Sequence, residues 1–220
     1  MDDPGRPFAA VLFDFGGVVS TSPFALMDDV GTSMGLPDGV LADLLMGEYG
    51  VDGDEPWHRL ERGEITALEW FGDVLRRAEE RGVTIDTSKF QAGFYGGISV
   101  HDAVVDRIRD LRAAGFRTGL LTNNVREFGS WRDLVPLEEL FDVVVDSSEV
   151  GMRKPGRAIY LHTLDLLGLA PHEVVFLDDH PANVAGAEAV GMTALLVGDD
   201  PAEALAALDV LLALDPAEDG

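Results

Sequence analysis

The chain has 220 residues, is 46% hydrophobic and contains no cysteine. That suits one globular core, with or without a small insertion, and excludes disulfides, thiolate catalysis and cysteine-based zinc sites. Its formal net charge of −24 repels nucleic acid and anionic membranes, so neither is an expected partner.

No apolar stretch is long enough to span a bilayer, and the acidic start "MDDPGRPF" has no apolar signal region. A cytoplasmic protein is therefore expected, as a monomer or a homodimer. Residues 8–13, FAAVLF, read as a buried strand: a short apolar run bounded by turn residues. From residue 24 to about residue 95 the pattern is helical. "PFALMDDVGTSMG", "PDGVLADLLMG" and "TALEWFGDVLRRAEERG" have helical spacing with Gly or Pro punctuation. This block reads as an inserted helical module.

After His101 the pattern changes. "HDAVVDRIRDLRAAG" places Val104, Val105, Ile108 and Leu111 on one helical face and stops at Gly115. "FRTGLLTNN" and "FDVVVDS" read as strands. "PGRAIYLHTLDLLG" reads as a helix with Pro155 at its start. "EVVFLDD", "PANVAGAEAVG", "TALLV" and "PAEALAALDVLLAL" then alternate strand, helix, strand, helix. Such alternation predicts an α/β fold with a parallel sheet covered on both faces.

The polar residues fall where the apolar runs end. Asp14 follows "AVLF", Thr122 and Asn123 follow "GLL", and Asp178 and Asp179 follow "VVFL". Open parallel sheets bind ligands beyond the C-terminal ends of their strands. These groups should therefore converge on one crevice. Asp14 and Asp179 offer hard oxygen ligands suited to Mg²⁺. Packed carboxylates without a cation would raise one another's pKa. Thr122 offers a hydroxyl, and Lys154, in "GMRKP", a positive charge before a helix start. An acidic nucleophile, a divalent metal, a hydroxyl and a lysine form a set suited to taking a phosphoryl group onto Asp14.

With "LFDFGGVV", "LLTNN", "GMRKP" and "FLDDHPANVAGAEAVGM" in this order, the chain resembles the haloacid dehalogenase-like hydrolase superfamily. The motifs are most similar to the branch of phosphatase domains fused to epoxide hydrolases and acyl-CoA dehydrogenases. The resemblance implies a Rossmann-like core of residues 1–20 and 97–220, with a helical cap of residues 21–96 inserted after the first strand. It implies Asp14 as nucleophile and Mg²⁺ ligand, the Gly16 carbonyl and Asp179 as further ligands, and Thr122, Asn123 and Lys154 as binding the transferring group. Asp178 and Asn183 would support them, Asp178 by positioning Lys154 or a metal-bound water. The expected substrate is a small phosphorylated metabolite.

Gly16 departs from the pattern, because phosphatases of this family usually carry Asp two residues after the nucleophile. That Asp protonates the leaving alkoxide and then activates water. General acid–base help is typically worth about 10²–10⁴-fold, so its loss slows turnover without excluding it. Three readings follow: a Mg²⁺-dependent phosphatase with another acid/base or none, a hydrolytic 2-haloacid dehalogenase, or a regulatory module that binds metal or phosphate without turnover. His180 and the cap are candidate sources of the acid. Trp57, His58, Arg59, Phe94 and Tyr95 are candidates to line the cleft, Trp70 and Phe71 fit a packed face, and the alternative to a site role for Lys154 is a surface pair with its neighbour Arg153. "GTSMG" around Ser33 formally matches a serine-hydrolase elbow but lacks the preceding strand.

Overall fold

The computed structural model describes residues 6–90 and 98–213. Phe94, Tyr95 and the expected cap boundary at residue 96 lie outside the described residues. A five-stranded sheet is built from β1 (Ala10–Phe13), β2 (Arg117–Thr122), β3 (Val143–Asp146), β4 (Val174–Asp178) and β5 (Thr193–Leu196). All pairings are parallel, in the order β3-β2-β1-β4-β5.

Alternation along the strands feeds two cores, one on each face of the sheet. Val11, Phe13, Val175 and Leu177 face a core completed by α5 (Asp102–Ala113) and α8 (Ala202–Leu212). Ala10, Leu12, Val174 and Phe176 face a second core completed by α6 (Arg157–Leu167) and α7 (Pro181–Ala189). Burial on both faces is why β1 and β4 read as unbroken apolar runs. Helix α6 starts at Arg157, two residues later than Pro155 suggested, because Gly156 rather than Lys154 serves as its N-cap.

Between β1 and β2 lie α1 (Pro23–Ser33), α2 (Val40–Met46), α3 (Pro56–Glu61) and α4 (Ala67–Glu80). They share a third core that includes Met27, Leu41, Leu45, Leu60, Trp70 and Val74. Helix α4 opens on a capping box: Glu69 N–H donates to Thr66 Oγ1, and Thr66 N–H donates to Glu69 Oε2. The Trp70 indole N–H donates to the Leu45 carbonyl at 2.9 Å, tying α4 to α2. Among the described residues, no helix is long and apolar enough to cross a membrane.

Register fixes where the site forms. Phe13 stands opposite Leu120 on one side and Leu177 on the other. One residue further, Asp14 and Asp178 therefore leave the sheet at the same level of adjacent strands. The Asp14 N–H still donates to the Leu177 carbonyl at 2.9 Å, which anchors its backbone. The chain order reverses at β1, with later strands added on both sides. That is where an open α/β sheet leaves a crevice.

Candidate active site

Asp14 is the centre of the crevice. Its Oδ1 accepts the Phe15 N–H at 2.7 Å, and its Oδ2 lies 2.8 Å from Lys154 Nζ. Lys154 Nζ also donates to Asp178 Oδ2 at 2.6 Å. The lysine is fully buried, and among the described residues its ion pairs are with these two carboxylates. Asp178 is held in turn: Asn183 Nδ2 donates to both its oxygens, and the His180 N–H donates to Oδ1. Asp178 therefore aims Lys154, and Asn183 aims Asp178.

Asp179, the first residue beyond β4, turns its carboxylate toward a different partner. Its Oδ2 accepts the Ser22 hydroxyl at 2.7 Å, at the N-cap of α1. The loop after Asp14 folds back on it. Gly17 N–H donates to the Ser20 carbonyl and Ser20 N–H to the Phe15 carbonyl, which places Gly17 at φ +77°. A Cβ at Gly17 would stand 1.9 Å from Asp179 Oδ2. Only glycine satisfies both the left-handed backbone and this approach.

Asp14, Asp178 and Asp179 each present a carboxylate oxygen within 4.8 Å of the others. Burial, first, and repulsion from Asp178 and Asp179 push the Asp14 carboxyl well above its usual range, against the pull of Lys154. Asp179 is pushed up to about 6, by burial and then by Asp178. Burial pulls the Lys154 ammonium down, but Asp14 and Asp178 outweigh it and hold it above its ordinary value. Three carboxylates sharing one ammonium are short of positive charge. A set of hard oxygen donors with this deficit fits a divalent cation.

Thr122 and Asn123 leave β2 beside this cluster. The Thr122 side chain is buried, and its hydroxyl makes only a 3.5 Å contact to the Asn123 carbonyl among the described residues, leaving donor capacity for a ligand. Asn123 and Lys154 are joined twice: Lys154 N–H donates to Asn123 Oδ1 at 2.8 Å, and Asn123 Nδ2 donates to the Lys154 carbonyl at 3.0 Å. Gly16 lines a cavity together with Thr122 and Asn123. A Cβ at Gly16 would sit 2.9 Å from Pro23 Cδ, so Pro23 occupies the space that a side chain at this position needs. All eight residues singled out from the sequence thus stand at one end of the sheet.

Other expectations change. Arg153 is no surface residue: it is 1% exposed, and its Nε donates to Glu61 Oε2 on α3 at 2.7 Å. Its guanidinium also donates to the carbonyls of Tyr49 and Val51 and lies over the Tyr49 ring. Burial pushes the Glu61 carboxyl up, and Arg153 offsets part of that rise. Trp57 and His58 do not line the cleft. Trp57 belongs to the helical core, and His58 is buried, with Nδ1 accepting the Gly53 N–H and Nε2 facing the Glu48 carbonyl. His180 is half-buried between Phe24 and Tyr49, and its Nδ1 accepts the Ala182 N–H as the cap of α7. Burial holds this imidazole below its usual range. Ser33 ends α1 with its hydroxyl on the Val30 carbonyl, without an elbow.

The family model of the haloacid dehalogenase-like hydrolases matches residues 8–191. Mouse acyl-CoA dehydrogenase family member 10 is 33% identical over 215 residues, covering 94% of this chain. The chain spans only 19% of that relative's length. The sesquiterpene phosphatase astK of Aspergillus oryzae is 29% identical over 195 residues, with 87% of this chain and 91% of that protein covered. A haloacid dehalogenase-like enzyme of Bacteroides thetaiotaomicron, solved with magnesium and inorganic phosphate, superposes with a TM-score of 0.61 at 20% identity, covering 87% of this chain and 95% of that one.

Proposed function

The chain belongs to the haloacid dehalogenase-like hydrolases, and from that membership we propose a Mg²⁺-dependent phosphatase that hydrolyses a small phosphomonoester through a phosphoryl group carried on Asp14. The observation that carries the reading is the meeting of Asp14, Asp178 and Asp179 around the buried Lys154 ammonium. The phosphate of the Bacteroides relative and the activity of the Aspergillus relative are consistent with it.

Asp14, the Gly16 carbonyl and Asp179 would hold Mg²⁺. The ion would supply positive charge that lowers the repulsion between the carboxylates and an incoming phosphate. Asp14 attacks phosphorus with a carboxylate oxygen, forming an O–P bond as the ester O–P bond breaks. The Thr122 hydroxyl and the backbone around Asn123 donate to the phosphoryl oxygens, and Lys154 offsets their charge. With glycine at position 16, the leaving alkoxide takes its proton from solvent. Water then cleaves the phosphoryl group from Asp14, which returns as carboxylate with release of inorganic phosphate.

The test is phosphate release from an aryl phosphate with and without Mg²⁺, in the wild type and in Asp14→Asn. Magnesium-dependent release that vanishes in Asp14→Asn supports the proposal. Activity that survives Asp14→Asn refutes the covalent step. Chloride release from a 2-chloro acid without metal would instead mark a dehalogenase. Saturable Mg²⁺ binding without release from any substrate would mark a regulatory module.

A further inference from the structure

Tyr49 stands on the loop between α2 and α3, in the helical segment inserted between β1 and β2. Its side chain reaches the strand-end residues: Asn123 Nδ2 donates to the Tyr49 hydroxyl at 3.4 Å. Both ends of the Asn123 amide are fixed by the backbone of Lys154, whose N–H donates to Oδ1 and whose carbonyl accepts from Nδ2. Nδ2 is therefore the atom that faces Tyr49, and a phenol oxygen beside an N–H donor accepts. The Tyr49 proton points away from Asn123, and among the described residues no acceptor takes it.

The ring is held in place. It packs edge-on against Phe24 and His180, with centroids 5.0 and 4.9 Å away, and the Arg153 guanidinium lies 5.1 Å from its centroid. The Tyr49 carbonyl also accepts from Arg153, at 3.2 Å. Burial, first, and then the charges of Glu61 and Asp14 push the Tyr49 hydroxyl well above its usual range, against the pull of Arg153. The phenol therefore keeps its proton, within the field of the Asp14 carboxylate.

We propose that the Tyr49 hydroxyl donates a hydrogen bond to the ester oxygen that leaves from phosphorus, where glycine at position 16 supplies no group. The proposal rests on the phosphatase reading. In-line displacement drives the leaving oxygen away from Asp14, out of the sheet and toward the inserted segment. Thr122, Asn123 and Lys154 serve the transferring oxygens from the sheet side. Among the described residues, the side chains of the inserted segment bonded to Asn123 are Tyr49 and, at 3.5 Å, Glu61. The Glu61 carboxylate is committed to Arg153 and only accepts, which leaves Tyr49 as the donor. Tyrosine gives up no proton. Its O–H stabilises the charge growing on the leaving oxygen as the O–P bond breaks, and solvent supplies the proton that the alkoxide takes.

Tyr49→Phe removes the hydroxyl and keeps the ring with its packing. The experiment measures Mg²⁺-dependent phosphate release by the wild type and by Tyr49→Phe from 4-nitrophenyl, phenyl and propyl phosphate. It is read as kcat/KM, which reports the step that breaks the ester bond. A hydrogen bond to a charged oxygen is worth about tenfold to hundredfold. Nitrophenolate spreads its charge over the ring and needs little of that help. Tyr49→Phe should therefore lower kcat/KM less than ~3-fold for 4-nitrophenyl phosphate and about 10- to 100-fold for propyl phosphate. Its melt should stay within about 2 °C of wild type, because the ring contacts remain. A loss that grows with the basicity of the leaving group supports the proposal. An equal loss across the three esters would show that the hydroxyl only holds Asn123, and no loss would show that it touches no reacting atom. Either result overturns the proposal and leaves the phosphatase reading standing. A wild type that releases no phosphate from any of the three overturns the phosphatase reading and the proposal with it.

Discussion

Removing the Arg153 guanidinium should be among the most damaging single changes in this protein. Arg153 and Glu61 are 1% and 2% exposed, and they join the loop before Pro155 to α3. Arg153→Met leaves the Glu61 carboxylate buried without its cation, beside the neutral Asn123 amide at 3.5 Å. Breaking one side of a buried ion pair costs about 3–5 kcal/mol. In a chain of this size each kcal/mol shifts Tm by roughly 2–4 °C, so the variant should melt about 6–20 °C lower. The cost should depend on pH. Burial already raises Glu61, and Arg153 offsets it, so losing Arg153 raises it further. A carboxyl whose folded pKa is raised favours folding below its unfolded value and loses that contribution as pH rises through the folded value. The penalty should thus be smaller near pH 5 than near pH 8. Arg153→Met/Glu61→Leu should recover most of the loss, because an apolar pair of similar volume is often neutral or better. Thermal melts of the single and double variants at both pH values decide it. A single variant within about 2 °C of wild type at pH 8, or a double variant no better than the single, would refute the reasoning.

Asp179→Asn should raise the Mg²⁺ concentration needed for half-maximal phosphate release by at least ~10-fold while the melt stays cooperative, since on the proposed reading it removes a charged ligand but not a core contact. Gly16→Asp alone should not raise activity, because the new Cβ meets Pro23 at 2.9 Å; Gly16→Asp/Pro23→Ala should raise kcat toward the ~10² of a general acid, and equal gains in both variants would show that Pro23 does not stand in the way. Gly17→Ala should weaken Mg²⁺ binding and lower Tm together, because its Cβ would collide with Asp179 at φ +77°. Isothermal titration with Mg²⁺ beside a melt reads both effects, and an unchanged titration would contradict the close approach of Gly17 to Asp179.

Much of the sheet was legible because a parallel sheet buries both faces. "AVLF" and "VVFLD" therefore announce strands, and their polar ends announce the crevice. Asp14, Thr122, Lys154 and Asp178 could be read in order because each closes such a run or precedes a helix. Arg153 could not. Its partner Glu61 lies 92 residues away on a six-residue helix, and no periodicity links the two. Trp57 and His58 misled for a related reason: a short helix opening at Pro56 carries too few turns to show which face is inward. Pro23 as the neighbour of Gly16 was equally hidden, because a turn that folds back on itself has no repeat to read.

The adjacent cations Arg153 and Lys154 also set the order in which the molecule can be assembled. Lys154 reaches Asp14 across 140 positions of chain and Arg153 reaches Glu61 across 92. Closing such long loops carries an entropic cost that local helix formation avoids. The loop before Pro155 is therefore among the last parts to gain its partners. A chain that has formed its sheet but not docked the segment from α1 to α4 holds Arg153 without its carboxylate, while Lys154 already has Asp14 and Asp178. Recovery of activity during refolding should consequently trail recovery of secondary structure.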